Sequence, residues 1–381
     1  MYNKIVNKIN SRDKCCICKG IDLYEKLTIE NFPVYMGTVL SVCEEDKKYD
    51  QNWGICKKCG CIQLLDLVPL QELYSKNHHS EVVGQIWAEH HASFAKFILY
   101  SNPNNVIEIG GAHGYLATLI VNQSKEIEYL MVEPDTNIIS KKISIVKGYI
   151  EDHLETISGK DTIIHSHVLE HVYSPVDFLS KIVEIMDIDS NMFISFPNIM
   201  ALIRAKGANS LNFEHTYLLV PEQIEVIFES LGLALMRKQE YLEHSYFYHL
   251  KKTGIRSKID LLPNINEKSL EFLDMVKDLK DFAIYVNEKV SNVEAPIYLF
   301  GAHIFSQSLV VLGLNSEKIS GIIDNSQSKQ NQRLYGTNLL VYPSTVVSEH
   351  PLVYVVLKAS HYQEEIKSQL LKINPNVVIL E

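Results

Sequence analysis

The pair Glu214-His215, in the stretch "NFEHTYLLV", places a carboxylate beside an imidazole just before an amphipathic helical pattern. Histidine titrates near neutral pH and can therefore move a proton, and a neighbouring carboxylate can orient it. Three more histidines follow a β-branched run in "DTIIHSHVLEHV"; alternation predicts that His165 and His167 point to one face, with His171 beyond the strand. Glu214 has a second interpretation, as a carboxylate that caps or orients a loop beside a sheet.

The cysteines form a second group that could do chemistry, because all seven lie between positions 15 and 61. The spacing C-x-x-C occurs twice among them, and two such pairs can converge on one tetrahedral zinc ion. Four sulfur ligands leave no position for a substrate, so the predicted zinc is structural. The predicted ligands are Cys15, Cys18, Cys56 and Cys59, the alternative ligands are Cys16 and Cys61, and the predicted bystander is Cys43.

A glycine turn in "VIEIGGAHGYLATLIVNQ" separates a predicted strand at 106–109 from a predicted helix at 115–121. Gly110 and Gly111 permit a tight turn with close backbone approach, and Gly114 lets the helix pack near the strand. The next strand ends at Glu133, where an acidic side chain can bind a ribose diol. Alternating strands and helices predict a doubly wound α/β domain. Spacing alone fits both nicotinamide enzymes and enzymes that use S-adenosylmethionine (SAM).

The runs "EIGGAHG", "VEP", "HVLEHVYSPVDFL" and "FISFPN" together resemble motifs I to V of class I SAM-dependent methyltransferases. The resemblance implies that Glu108 and the glycines face the methionine part of SAM, and that Glu133 binds the ribose. Ala112 stands where many relatives have a third glycine, and its methyl group is tolerable if the backbone keeps a negative φ. The other implied SAM-binding residues are Tyr115, Pro134, Tyr149, Ile150, Glu151 and His167.

The whole chain resembles the sugar C-methyltransferases that act on deoxysugar nucleotides. Their organisation implies a Rossmann-like class I core with a small zinc module before it and a smaller C-terminal α/β domain after it. The expected limits are 1–70 for the zinc module, 71–250 for the methyltransferase domain, 251–290 for a helical connector and 291–381 for the Rossmann-like domain. Gly301, in "LFGAHIFSQSL", is interpreted as a packing turn and not as a second cofactor site.

In that family a base removes a proton next to a C4 carbonyl, and the resulting enolate carbon attacks the methyl group of SAM. The resemblance places the catalytic glutamate and histidine of the family on Glu214 and His215. It places a further histidine of the family on His171.

Two positions depart from the family pattern. Asn212 replaces a family tyrosine, and the region "LYSKNHHSEVV" has Asn77 and His79 where relatives tend to have tyrosines. Either His78 or His79 supplies the missing group, or the acceptor is a hydroxyl or an amine that needs only a base. Replacing Asn212 by tyrosine is expected to report on the acceptor atom.

Other patterns predict packing more than chemistry. The stretch 270–290 has apolar residues at helical spacing. His90 and His91 share helical spacing with Trp87 and are interpreted as helix-face residues. The stretch 241–249 alternates like a single strand whose aromatic residues are mostly core.

Composition limits the partners of this chain of 381 residues. A net charge of −10 disfavours nucleic acid, and no apolar run is long enough for a membrane span. The N-terminal residues lack the pattern of a secretory signal, which predicts the cytoplasm.

Together these features predict a SAM-dependent methyltransferase that acts on a nucleotide-linked sugar, first at carbon and second at oxygen or nitrogen. A non-catalytic sugar-nucleotide-binding protein and a nicotinamide oxidoreductase are the alternatives from other classes.

Overall fold

The computed structural model describes residues 9–73, 85–123, 126–257, 266–358 and 363–381. The predicted substrate-facing residues Asn77, His78 and His79 lie outside the described residues. Within the described ranges, no helix combines the length and the apolarity that crossing a membrane requires.

The first part of the chain forms mainly antiparallel strands. Bulges interrupt the pairing of its two longest strands, and buried Trp53 anchors their apolar face. The elements are β1 (Asn10–Ser11), β2 (Leu23–Pro33), β3 (Thr38–Val39), β4 (Lys48–Cys56), β5 (Ile62–Leu64), β6 (Asp66–Leu67) and α1 (Leu70–Leu73).

The middle part is a seven-stranded sheet with helices on both faces. Its elements are α2 (Gln85–Leu99), β7 (Asn105–Ile109), α3 (Tyr115–Gln123), β8 (Glu128–Val132), β9 (Ile143–Val146), β10 (Thr162–Ser166), α4 (Pro175–Ile185), β11 (Asn191–Pro197), α5 (Ile199–Arg204), β12 (Tyr217–Leu218), α6 (Pro221–Ser230), β13 (Leu233–Tyr241) and β14 (Ser245–Lys252). The strand order is β13-β14-β11-β10-β7-β8-β9, and only β14 runs antiparallel to its neighbours. This order confirms the predicted Rossmann-like core. The short strand β12 instead joins the first sheet through β5.

The last part holds a second parallel sheet. Its elements are α7 (Asn266–Val290), β15 (Ile297–Phe300), α8 (Ile304–Val311), β16 (Gly321–Ile323), β17 (Arg333–Leu334), β18 (Val341–Tyr342), β19 (Val353–Val356), α9 (Gln363–Ile373) and β20 (Val377–Leu380). The order β18-β16-β15-β19-β20, parallel throughout, is Rossmann-like as predicted. The predicted helix at 270–290 lies within α7, which packs Phe272 against Trp53 of the first sheet. A buried ion pair between Arg333 and Asp46 joins the same two parts.

The prediction of one strand over 241–249 is wrong. The chain reverses between β13 and β14, and Leu242 and Glu243 take left-handed φ values of 46° and 53°. No glycine, proline or asparagine marks this turn, so its sequence does not differ from that of a strand. The reversal places His244 in the turn.

Candidate functional site

The predicted cofactor turn lies at the carboxyl edge of β7. Gly110 and Gly114 have φ values of +71° and +64°, which only glycine adopts readily. A Cβ on Gly111 would lie 2.4 Å from Sδ of Met131, and a Cβ on Gly110 would lie 2.5 Å from Cγ2 of Val168. The turn therefore packs tightly against Met131 on one side and against Val168 on another. Val168 belongs to the segment that carries His171.

Several residues that the resemblance implies for SAM binding are exposed to solvent. Tyr115 and Tyr149 are 42% and 54% exposed, and Pro134 and Glu151 are exposed as well, whereas Ile150 is buried in the core. A close-packed glycine turn with an open aromatic rim at the carboxyl edge fits a nucleotide-like cofactor such as SAM.

Glu133 directly follows β8 and connects this strand to the glycine turn through its carboxylate. One carboxylate oxygen accepts the N–H of Ala112 at 2.9 Å, and the other accepts the N–H of Asp135 at 3.0 Å. These bonds fix the carboxylate at the position predicted for ribose binding, with lone pairs left for a ligand.

The expectation that Ala112 keeps a negative φ is wrong, because its φ is +45°. A left-handed alanine costs about 1–2 kcal/mol. The same conformation aims the N–H of Ala112 at the Glu133 carboxylate, and this charge-assisted bond offsets the strain.

Glu108 lies beneath the turn and not on its surface. It is buried, and one of its oxygens accepts the hydroxyl of Tyr129 at 2.8 Å. Burial raises the pKa of Glu108 to about 7; the Tyr129 hydrogen bond lowers the pKa and Glu133 raises it further.

Glu108→Gln is expected to stabilise the protein more in alkali than in acid. The unfolded carboxyl ionises near 4.5 and the folded one near 7, so ionisation costs stability as pH rises through this window. The gain in unfolding free energy should be about 2 kcal/mol larger near pH 8 than near pH 5. Urea unfolding at both pH values measures it, with exposed Glu128→Gln as the control. Equal gains at both pH values would contradict the assignment.

The residues predicted for acid/base chemistry come together. Nδ1 of His171 lies 3.6 Å from a carboxylate oxygen of Glu214, and the rings of His171 and His215 contact edge to face at 4.8 Å between centroids. Burial, and then the nearby His171, lower the pKa of His215 to about 3, so this imidazole is neutral at physiological pH. His171, with Nδ1 facing the Glu214 carboxylate, has the arrangement of a base and its orienting carboxylate.

Asn212 is a scaffold for this loop. Its Oδ1 accepts the N–H groups of Glu214 at 2.8 Å and His215 at 2.6 Å, and its Nδ2 donates to the carbonyl of Asn209 at 2.7 Å. The side chain is buried. Asn212 thus holds Glu214 and His215 in place from below, and a phenol cannot make these bonds in the same space.

Asn212→Tyr is expected to damage the loop, and so to be unsuitable as a test of the acceptor atom. Two backbone N–H groups lose their acceptor and the larger ring overpacks the core, at a cost of about 2–4 kcal/mol. Asn212→Asp, which keeps the acceptor oxygen, should cost less. Thermal unfolding of both variants checks this order; a tyrosine variant as stable as the wild type would refute it.

Glu170 is a buried carboxylate that sequence reasoning missed. Burial by itself would raise its pKa, but His167, which it contacts at 2.9 Å, and then His171 and His215 bring the pKa down to about 2. The missed signal is the spacing of His167 and Glu170, three residues apart in "HVLEH".

The prediction that His165 and His167 share a face is wrong. His165 is buried against Phe178 of α4, whereas His167 contacts Trp87 of α2 on the other face of the sheet. The strand ends at Ser166 and His167 takes a φ of +54°, which breaks the alternation.

The helix-face histidines are more involved than expected. His90 is fully buried, with Nε2 2.9 Å from Oγ of Ser195, and it contacts the rings of His167 and His244. Burial, and then the neighbouring histidines, lower its pKa well below the usual range. His91 is partly buried beside Tyr115.

The four predicted zinc ligands converge. One sulfur from each of Cys15, Cys18, Cys56 and Cys59 lies within 4.8 Å of the others. The pairs Cys15–Cys59 and Cys18–Cys56 are each 3.5 Å apart, close to the ~3.8 Å edge of a tetrahedral zinc–sulfur site. This donor set fits zinc. The alternative ligands form a separate pair, Cys16 and Cys61, at 4.0 Å.

Residues 84–238 match the family of the methyltransferase domain. This range contains the glycine turn, Glu133, His171 and Glu214. The middle of the chain is therefore a SAM-dependent methyltransferase domain, and the predicted enzyme class is confirmed for it. No curated protein sequence is significantly similar to the chain.

Solved structures of low sequence identity resemble the chain. They include an O-methyltransferase family protein from Burkholderia thailandensis (9% identity, TM-score 0.37, 44% of this chain and 57% of that one). They also include an N,N-8-amino-8-demethyl-D-riboflavin dimethyltransferase from Streptomyces davawensis (14%, 0.38, 49% and 62%). A third is magnesium protoporphyrin IX methyltransferase from Synechocystis with bound SAH (13%, 0.37, 47% and 89%). The chain spans 57% and 62% of the length of the first two.

Proposed function

We propose that the methyltransferase domain at residues 84–238 transfers a methyl group from SAM to a nucleotide-linked deoxy or keto sugar, at a carbon atom. One observation carries this proposal. His171 and Glu214 lie 3.6 Å apart, nitrogen to oxygen, in a segment whose neighbour Val168 packs on the glycine turn. A base with its orienting carboxylate is thus placed beside the cofactor edge.

The chain's own residues divide the chemistry between them. SAM, when bound by the glycine turn and Glu133, supplies an electrophilic methyl group. His171 removes the proton beside the sugar carbonyl on Nε2, because Nδ1 faces Glu214, and Glu214 stabilises the imidazolium that forms. Neutral His215 donates an N–H to the enolate oxygen.

Methylation at oxygen or nitrogen is the second candidate, and the role of Asn212 favours it. This residue replaces the family tyrosine but holds the loop through its backbone bonds, so it contributes no acid/base group. An acceptor hydroxyl or amine needs only the base His171.

Hydrogen exchange in deuterated water separates the two candidates. With a 4-keto sugar nucleotide and no SAM, carbon methylation predicts deuterium at the carbon beside the carbonyl. Methyl transfer without exchange would point to a heteroatom acceptor. Calorimetry with S-adenosylhomocysteine and NAD(H) tests the class, because failure to bind S-adenosylhomocysteine would remove the methyltransferase function and NAD(H) binding would favour an oxidoreductase.

The other parts have supporting roles in this proposal. A zinc ion on the four cysteines stabilises the first sheet, which fits the reducing cytoplasm because the thiols must stay reduced. The C-terminal part, which is joined to the first part by the pairing of β17 with β3, is proposed to wall the substrate cleft.

A further inference from the structure

Three imidazoles converge beneath Trp87, apart from the acid/base pair. His90 comes from α2, His167 from the end of β10 and His244 from the turn between β13 and β14. One ring nitrogen of each lies within 4.8 Å of the other two. The Trp87 ring contacts all three, at 5.2, 4.7 and 4.7 Å between centroids. We propose that this three-histidine site binds a divalent metal ion of the zinc class.

Glu170 contacts one ring nitrogen of His167, as a carboxylate commonly does to a histidine that binds a metal ion. Its Oε1 lies 2.9 Å from Nδ1 of His167, and the carboxylate is buried. A carboxylate on one ring nitrogen fixes the tautomer and directs the other nitrogen to a metal. The left-handed backbone of His167 turns the ring toward His90 and His244, at a cost of about 1–3 kcal/mol. The strain thus completes the three-histidine site.

His90 supplies an independent indication. Its Nε2 is held by Ser195, but its Nδ1 is buried without a hydrogen-bond partner among the described residues. Such an unsatisfied nitrogen costs about 1–3 kcal/mol. A metal ion shared with the neighbouring rings would satisfy it.

Ser245 fills the space between the other two rings. Its hydroxyl lies 3.0 Å from Nε2 of His167 and 2.6 Å from Nδ1 of His244. The hydroxyl can donate its hydrogen to one of these nitrogens and accept an N–H from the other, so Ser245 bridges the two rings when no metal ion is bound. Metal binding through Nε2 of His167 would displace the hydroxyl, and the site does not need Ser245.

The donor set selects the ion. Three imidazole nitrogens suit zinc and its neighbours in the periodic table, whereas magnesium and calcium prefer oxygen ligands. Three ligands also leave a fourth position for water or an acceptor oxygen, unlike the closed cysteine site. Trp87 is 36% exposed, so the three-histidine site lies just beneath the surface.

Metal content of the full chain, loaded with Zn²⁺ and desalted, tests the proposal. The wild type should hold about two zinc ions, one on the cysteines and one on the histidines. His244→Gln and His167→Gln should each hold about one ion fewer. Ser245→Ala is the matched control and should hold as many ions as the wild type. Cobalt replacement distinguishes the sites, because only the cysteine site gives a thiolate charge-transfer band.

The readout does not depend on methyl transfer, so the proposal can fail while the proposed function stands. Circular dichroism identifies any variant that fails to fold. If only one of the two histidine variants folds, its zinc content alone tests the proposal. A wild type whose zinc content is unchanged by both folded histidine variants would overturn the proposal. So would a cobalt-loaded protein whose cobalt content and visible d–d absorption are the same in the wild type and in His244→Gln.

Discussion

Replacing His171 by asparagine is expected to lower kcat for methyl transfer by about 10²–10⁴-fold. Asparagine keeps the size and polarity of the side chain near Glu214 but cannot accept the proton. Binding of S-adenosylhomocysteine should be unchanged, because the residues proposed to bind the cofactor are the glycine turn and Glu133, and His171 is not among them. Exchange of the proton beside the sugar carbonyl should be lost together with kcat. Rates, calorimetry and exchange on one preparation give the three measurements.

Glu214→Gln should lower kcat less, since glutamine still contacts His171 but no longer stabilises its positive charge. The double variant should be about as slow as His171→Asn alone, because the two residues act as one unit. His249→Gln is the control: this histidine bonds to Asn191 at the opposite edge of the same sheet. Additive losses, or a His171 variant that keeps exchange, would show that the base is elsewhere.

The core of the fold could be predicted because its signals are local. Gly110, Gly111 and Gly114 specify a turn that other residues cannot form at this packing density, and the apolar runs on either side specify central strands. The position of Glu133 follows from adjacent parallel strands ending at one edge. The convergence of the cysteine pairs could be predicted because the two-residue spacer in C-x-x-C brings both sulfur atoms of a pair to one centre.

The detailed arrangement of the side chains in the site could not be predicted, because it depends on backbone conformations that these residue types rarely adopt. Left-handed φ values at Ala112 and His167 reverse two expectations, and the unmarked turn at Leu242 and Glu243 brings His244 to the sheet edge. The role of Asn212 rests on backbone bonds within a loop, which sequence spacing does not reveal.

Replacing Cys56 and Cys59 by serine is expected to destabilise the whole protein and to lower methyl transfer. A zinc ion on the four cysteines would lose half of its ligands, and the loss of such a structural site should cost at least about 3 kcal/mol of folding free energy. A strong chelator should have the same effect on the wild type. Thermal unfolding with and without chelator, and zinc content, measure both.

The expected effect on activity follows from the hydrogen bonds that connect the cysteine site to the loop that carries Glu214 and His215. The side chain of Gln223, in α6, donates to the carbonyl of Cys59 at 2.8 Å. Arg12 donates to the carbonyl of Thr216 at 2.7 Å, directly after His215. Strand β12 pairs with β5 beside the cysteines. Loosening the cysteine site therefore loosens the loop that presents Glu214 and His215.

Two variants separate the effect of the cysteine site on stability from its effect on the loop with Glu214 and His215. Cys43→Ser, outside the four-cysteine cluster, should keep zinc content, stability and kcat. Gln223→Ala should keep zinc but lower kcat, because it breaks the bond to Cys59 while leaving all four sulfurs in place. Unchanged kcat in Gln223→Ala, with zinc loss still abolishing activity, would mean that the cysteine site acts on the loop through β12 and Arg12 instead. A double cysteine variant that keeps both its melting temperature and its kcat would rule out a structural metal at these residues.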